Sequence, residues 1–169
     1  MPSYIPIGIL HSQDGPMSSC ERNLIDAALL AVDEINTRGG LLGKQVQPYV
    51  SEGLSEAEDF GKEAKKLICD KGVSSLFGCW TSSSRKEVKP VVEQERSLLW
   101  YPVQYEGLEQ SPNIVYTGSC MNQQIVPIIR WALSLGRRRI ALVGSDYVFP
   151  RTSNNLIASM LTKTDAVIV

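Results

Sequence analysis

Leu76 to Tyr105 reads LFGCWTSSSRKEVKPVVEQERSLLWYPVQY, and this stretch restricts the available folds more than any other in the chain. A short apolar run ends in Gly78. Four hydroxyl residues follow (Thr81, Ser82, Ser83, Ser84), and Val88, Val91 and Val92 then recur at helical spacing before a second apolar run ends at Tyr101-Pro102. Strand, polar turn, helix and strand form the βαβ unit of a parallel sheet. Both strands of such a unit end at one edge, so the hydroxyl cluster and the aromatic pair Tyr101 and Tyr105 are delivered to the same side. Hydroxyls and the N–H groups at a helix start bond a small, neutral, polar molecule, while rings cover it. These residue types suit binding rather than catalysis.

The same alternation runs through the rest of the chain. Tyr4–Leu10 reads as a strand, and Ser18 with Glu21 gives the capping-box pattern for a helix whose apolar stripe is Leu24, Ala28, Ala31, Val32 and Ile35. Gly39-Gly40 stops that helix. Val46–Val50 is a second strand, weakened by Pro48. Ser55 and Glu58 repeat the capping box ahead of a stripe of Ala57, Phe60, Ala64, Leu67 and Ile68, which Lys71-Gly72 ends. Strands are expected over Val73–Phe77, Ser97–Tyr101, Asn113–Thr117, Ile140–Val143 and Ala166–Val169. Helices are expected over Gln124–Leu135 and from about Pro150 to Leu161. The implied fold is α/β, a doubly wound parallel sheet with right-handed crossovers. Ligands on such sheets lie beyond the carboxyl ends of the strands. Those ends are His11–Ser19, Cys79–Ser84, Tyr101–Tyr105, Gly118–Asn122 and Ser145–Phe149, and Tyr101, Tyr105 and Tyr147 give this edge an aromatic rim.

Composition removes several function classes. A net charge of −1 over 169 residues gives no general attraction to nucleic acid or an anionic membrane. The one dense basic run, Arg137-Arg138-Arg139, reads as a solvated turn at a helix end. No apolar run approaches the ~20 residues of a membrane span, and MPSYIPIGIL lacks the pattern of a secretory leader. A cytoplasmic protein, or one whose leader was removed, is the expectation. Four scattered cysteines and a single histidine, His11, argue against a zinc site, and the thiols read as reduced and mostly buried. Gly39–Lys44 fails as a phosphate loop by one residue of spacing, and Gln45 stands where a magnesium-binding hydroxyl is needed. Ser83-Ser84-Arg85-Lys86 matches the S-x-x-K of serine acyl enzymes without their companion motifs, and Cys79 has no histidine close in sequence.

The polar loops carry a family resemblance. GILHSQDGPM, GGLLGK, FGCWTSSSRKEVKPV, LLWYPVQYEGLEQSPNIVYTG, NQQIVP and GSDYVFPRTSNN, spanning Ile5 to Ser159, are similar to the urea and short-chain-amide substrate-binding proteins of ABC transporters. They are also similar to the amide-sensing regulator of amidase operons. The resemblance implies a lobe of the type I periplasmic-binding-protein fold that closes with a second lobe on urea or a small aliphatic amide. It implies ligand contacts at Ser82, Tyr101, Val103 and Tyr147, and some relatives of the regulator type have Thr where Val103 stands. Thr81 and Tyr105, from the hydroxyl turn and the aromatic rim, complete the candidate set. No catalytic residue, metal or cofactor is implied. The partners implied are the small amide or urea ligand and either a transporter permease or a regulatory partner protein, with no direct nucleic-acid contact. That family is roughly twice this length, so residues 1–162 are expected to form the first lobe and residues 163–169 (KTDAVIV) to begin a following segment. Without its second lobe, the cleft face bearing Trp80, Tyr101 and Tyr147 is expected to be exposed and to favour self-association.

Overall fold

A computed structural model describes residues 4–54 and 56–169, so Ser55, the start of the second expected capping box, lies outside the described residues. The chain forms two compact units, one holding residues up to Val103 together with Ser111–Thr117, the other holding Gln104–Gln110 and Gly118–Val169.

The first unit is built on five strands: β1 (Tyr4–Leu10), β2 (Gln45–Val50), β3 (Ser75–Gly78), β4 (Leu98–Tyr101) and β5 (Ile114–Tyr116). They are all parallel and lie in the order β2-β1-β3-β4-β5. The connections from β1 to β2 and from β2 to β3 run in opposite directions across the sheet. Right-handed crossovers therefore place helix α1 (Ser18–Thr37) on one face, with α2 (Ala57–Lys71) and α3 (Ser82–Gln94) on the other. Ile9, Leu10, Leu76 and Leu99 from the strands and Val88 and Val92 from α3 are fully buried. Pro48 is tolerated because β2 is an edge strand, where a missing N–H costs least.

Helix starts depart from the expected capping in an informative way. Ser18 and Glu21 do not form a box. The Ser18 hydroxyl donates to the carbonyl of Gly15 at 2.8 Å, and Glu21 turns inward and is 1% exposed. At α2, the N–H of Glu56 donates to the Asp59 carboxylate at 3.2 Å, so a box forms one residue beyond the expected one. The GGLLGK segment is a tight turn: Leu41 and Lys44 exchange backbone hydrogen bonds of 2.8 and 3.0 Å, leaving no cradle for a phosphate.

The second unit contains α4 (Met121–Ser134), β6 (Arg139–Ile140), α5 (Val148–Leu161) and β7 (Val167–Ile168), with β6 and β7 parallel. Ile129, Ile157, Leu161 and Ala166 form its core. Helix α4 begins three residues earlier than expected, because the Gln123 side chain accepts the Cys120 N–H at 3.0 Å and secures an earlier start. Strand β6 is shorter than the expected Ile140–Val143. Among the described residues its only ladder is with the two-residue β7, and Val143 is 94% exposed. Arg138 donates to the Leu133 carbonyl at 2.8 Å near the end of α4 and pairs with Asp165 at 2.6 Å, which holds that carboxyl below its ordinary pKa. The arginine run is thus a helix end and turn, as its position in the sequence suggests. Among the described residues no helix is long and apolar enough to cross a membrane.

Candidate functional site

The order β2-β1-β3 makes the gap between β1 and β3 the point where the chain changes direction across the sheet. In open α/β sheets the crevice beyond this point is where ligands bind. Here it receives the loop after β1 and the Cys79-Trp80-Thr81 turn after β3. A cavity of about 160 Å³ lies there, lined by Ser12, Met17, Glu21, Glu56, Ala57, Phe60, Thr81 and Ser83.

Close backbone approach builds one wall. The N–H of Cys79 donates to the Leu10 carbonyl at 2.8 Å, extending the β1–β3 ladder past Gly78. Cys79 itself sits at φ 64°, a left-handed conformation uncommon outside glycine, and this turns the chain sharply into α3. Thr81 caps that helix: its Oγ1 accepts the Ser84 N–H at 3.1 Å and lies 3.1 Å from the Ser83 hydroxyl. Thr81 Oγ1 also donates to the Ser84 hydroxyl at 2.9 Å, and the start of α3 borders the cavity through Thr81 and Ser83.

The opposite wall is formed by Glu21. Glu21 Oε2 accepts the Ser12 N–H at 2.8 Å and sits 3.1 Å from His11 Nδ1, with both side chains buried. Sequence reasoning gave Glu21 to a helix cap and His11 only to a tally of metal ligands. The usable signal was the pairing of a lone histidine at a strand end with an acid in the next helical turn. Among the described residues no cluster of side chains could hold a metal ion.

The sequence-derived candidates fall into two groups. Thr81, Ser82, Tyr101 and Val103 belong to the first unit, and Tyr105 and Tyr147 to the second. Thr81 lines the cavity. Ser82 is 4% exposed, and its hydroxyl lies 3.5 Å from Arg85 Nη1. Tyr101 is not a rim aromatic: it is fully buried, and its hydroxyl donates to the Trp80 carbonyl at 2.9 Å. The Arg85 guanidinium lies over its ring at 4.8 Å. Tyr101 therefore braces the Cys79–Thr81 turn from beneath and cannot form part of an exposed aromatic face. Val103 and Tyr105 are half-buried, and the Tyr105 N–H donates to the Ser119 carbonyl at 3.1 Å. Tyr147 is the half-buried residue that precedes α5, with its N–H on the Ser145 carbonyl at 2.8 Å.

Cys79 is not poised as a nucleophile. It is fully buried, and burial pushes its thiol far above the ordinary range, against the smaller opposing effect of a hydrogen bond with Ser84. Cys20 and Cys69 are exposed, contrary to the expectation of mostly buried thiols. Iodoacetamide at neutral pH is accordingly expected to label Cys20 and Cys69 within minutes and to leave Cys79 unmodified until denaturant is added. Peptide mass mapping reads this, and native labelling of Cys79 at a comparable rate would contradict the closed site.

A second cleft, of about 600 Å³, lies within the second unit and is lined chiefly by apolar side chains, including Leu108, Met121, Val126 and Leu156. It is larger, but it has neither the switch-point position nor the convergent hydroxyls of the smaller cavity.

Sequence comparison places this fold in a family: residues 5–169 match the model of the periplasmic binding protein domain. The chain belongs to that family. As a periplasmic binding protein domain, it is 30% identical over 98 residues to the Leu/Ile/Val-binding protein BraC3 of Rhizobium johnstonii, covering 58% of this chain and 26% of that protein. Among solved structures, it is similar to a solute-binding protein of an ABC transporter from Rhodopseudomonas palustris in complex with 3,4-dihydroxybenzoic acid. That match has TM-score 0.88 and 19% identity, covering 99% of this chain and 46% of the other. It is also similar to the branched-chain amino acid transporter substrate-binding protein LivJ from Streptococcus pneumoniae in complex with isoleucine. The values there are TM-score 0.82 and 22% identity, over 98% of this chain and 48% of that one. The chain thus spans about a quarter of the curated relative and just under half of each of these structures.

Proposed function

We propose that this domain binds a small polar solute, without turning it over, as part of the solute-binding component of an ABC transporter, and that the solute is urea or a short aliphatic amide. The observation that carries the reading is the switch-point cavity, where the hydroxyl-capped start of α3 faces a buried carboxylate. Its volume of about 160 Å³ is below the ~300–1,000 Å³ of drug-sized sites and suits a ligand of few heavy atoms. Thr81 lines that cavity; Ser82 adds its backbone at the helix start, and Tyr101 fixes the turn. Val103, Tyr105 and Tyr147 do not line that cavity; they are proposed as ligand contacts by the family resemblance alone. The names of BraC3 and LivJ favour a second reading, in which the solute is a branched-chain amino acid. An amide sensor acting on a regulatory partner protein remains the alternative to transport.

A ligand of four heavy atoms at the ceiling of about −1.5 kcal/mol per atom reaches about −6 kcal/mol, or tens of micromolar. In a two-lobed clamp much of that burial comes from closure, so this chain alone is expected to bind urea and acetamide only at millimolar concentration. Backbone NMR titration tests this directly. Saturable shifts at Ser82 and Ser83 with urea and acetamide support the amide reading, and saturable shifts with leucine alone replace it with the amino-acid reading. Shifts that are scattered and never saturate would remove the cavity as the site.

Self-association is expected through an apolar stripe other than the one expected from sequence. Ile128 and Trp131 on one side of α4, with Leu135 just past its end, are each more than half exposed. Light scattering is expected to show a mass that rises with concentration and falls back to the monomer in Trp131→Glu. A wild-type chain monomeric at all concentrations would contradict it.

A further inference from the structure

The exposed apolar residues of α4 stand in a basic stretch of the chain. No acidic residue occurs between Glu109 and Asp146, whereas Arg130, Arg137, Arg138 and Arg139 all fall there. Arg138 is committed to the Leu133 carbonyl and to Asp165, while Arg130, Arg137 and Arg139 are exposed. Ile128, Trp131 and Leu135 thus offer an apolar surface whose neighbours in the chain carry positive charge.

Helix α1 has the opposite character. No basic residue occurs between Arg22 and Arg38. The helix buries Glu21, Ile25 and Val32, and away from them it presents Asp26, Leu30, Asp33 and Glu34 at the i, i+4, i+7, i+8 spacing of one face. All four are exposed, Leu30 by 61%. Ala27 and Ala31 beside them are also exposed and small enough to admit a large ring. Glu34 is bridged to Arg38 at 3.3 Å, so Asp26 and Asp33 supply most of the charge of this face.

Charge decides how a second copy covers the α4 stripe. Two stripes packed on each other across a twofold axis would set three arginines of one copy against the same three of its partner, with no carboxylate between them. The α1 face supplies what that arrangement lacks, an apolar side chain for the Trp131 ring and carboxylates for the guanidinium groups. We infer that the α4 face of one copy docks on the α1 face of a second, with Trp131 on Leu30 and the exposed arginines toward Asp26 and Asp33. Such a contact is heterologous. Each copy added brings another α4 face and another α1 face, so assembly continues head to tail. The inference rests on the self-association expected above and names the surface that receives the stripe.

Sedimentation velocity of the whole chain, alone and in mixtures, tests it. The wild type is expected to form species larger than a dimer as concentration rises. Its association is expected to weaken at least about fivefold in 1 M NaCl, where the screening length falls to about 3 Å. Trp131→Glu and the double variant Asp26→Lys/Asp33→Lys are each expected to sediment as monomers. An equimolar mixture of the two is expected to give a dimer and nothing larger, because the first keeps an intact α1 face and the second an intact α4 face. Asp70→Lys/Glu87→Lys makes the same change of net charge at exposed positions on α2 and α3 and is expected to change association less than twofold. Circular dichroism is expected to show each variant folded; if Asp26→Lys/Asp33→Lys is not, Leu30→Ser takes its place with the same expected results. Wild-type-like association of the α1 variant would overturn the docking on α1 and leave self-association standing. So would a mixture that stays monomeric, association that tightens in 1 M NaCl, or an equal loss in Asp70→Lys/Glu87→Lys. A wild type monomeric at every concentration, or Trp131→Glu associating as the wild type does, would overturn both.

Discussion

Gly78→Ala is expected to destabilise the chain by more than about 3 kcal/mol, a large part of the total stability of an ordinary domain. Gly78 is the last residue of β3 and stands opposite Leu10 of β1 in the centre of the sheet. A Cβ placed there would lie 2.1 Å from the Leu10 carbonyl oxygen and 2.6 Å from its carbon. Both atoms belong to backbone already held by the Cys79 N–H at 2.8 Å, so no flexible side chain can move aside. The strands must part, and with them goes the ladder that closes the cavity. Gly136 supplies the control: it sits at φ 74°, in the left-handed region, whereas Gly78 is near extended at φ 159°, and at Gly136 an added Cβ meets nothing within 4 Å. Gly136→Ala carries only the conformational penalty, about 1–2 kcal/mol. Guanidinium chloride melts compare the two, and equal losses of stability would refute the close-approach argument. Guanidinium is preferred over urea because urea is a proposed ligand.

The same crowding explains what the sequence made legible. Short apolar runs ending in Gly78 and at Tyr101, with a valine stripe between them, have few interpretations other than βαβ, and the sheet follows from repeating that pattern. Tyr101 is instructive because the information was present but read for its chemistry. Strand β4 alternates half-buried and buried, and Tyr101 shares the parity of the fully buried Leu99. A tyrosine at a strand end looks like a rim residue, yet period two had already placed it inside. Glu21 failed for a different reason. Ser18-x-x-Glu21 is a valid local signal for a capping box, and a tertiary competitor won: the Ser12 N–H and the His11 ring, nine and ten residues upstream, are buried and take the Glu21 carboxyl as their partner. Such competition is invisible to any window the width of a helix turn. The hydroxyl cluster was legible as binding chemistry, although Thr81 devotes much of its capacity to capping α3. Strand β6 was overestimated because Ala141, Leu142 and Val143 have strand-like composition but no partner in the two-residue β7 ladder.

Arg85→Ala is expected to cost about 3–5 kcal/mol, more than any exposed charge removal in this chain. The side chain is fully buried on α3, and its guanidinium lies 4.8 Å from the centre of the Tyr101 ring. Its Nη1 also reaches to 3.5 Å from the Ser82 hydroxyl. A desolvated cation over an aromatic face contributes about 2 kcal/mol, and the long stem fills space that alanine leaves empty. The loss is transmitted to the site, because Tyr101 supports the Cys79–Thr81 turn through the Trp80 carbonyl. Arg85→Met separates the two contributions. Methionine restores much of the stem volume without a charge, so it is expected to recover about half of the lost stability. Arg85→Lys keeps the charge but lacks the flat fork that stacks on the ring, and is expected to fall below Arg85→Met. Guanidinium chloride melts give that order, and the amide signals of Ser82 and Ser83 report whether the turn has moved. Arg85→Lys matching the wild type while Arg85→Met collapses would show that charge alone matters, and the bracing of Tyr101 by a stacked guanidinium would be wrong.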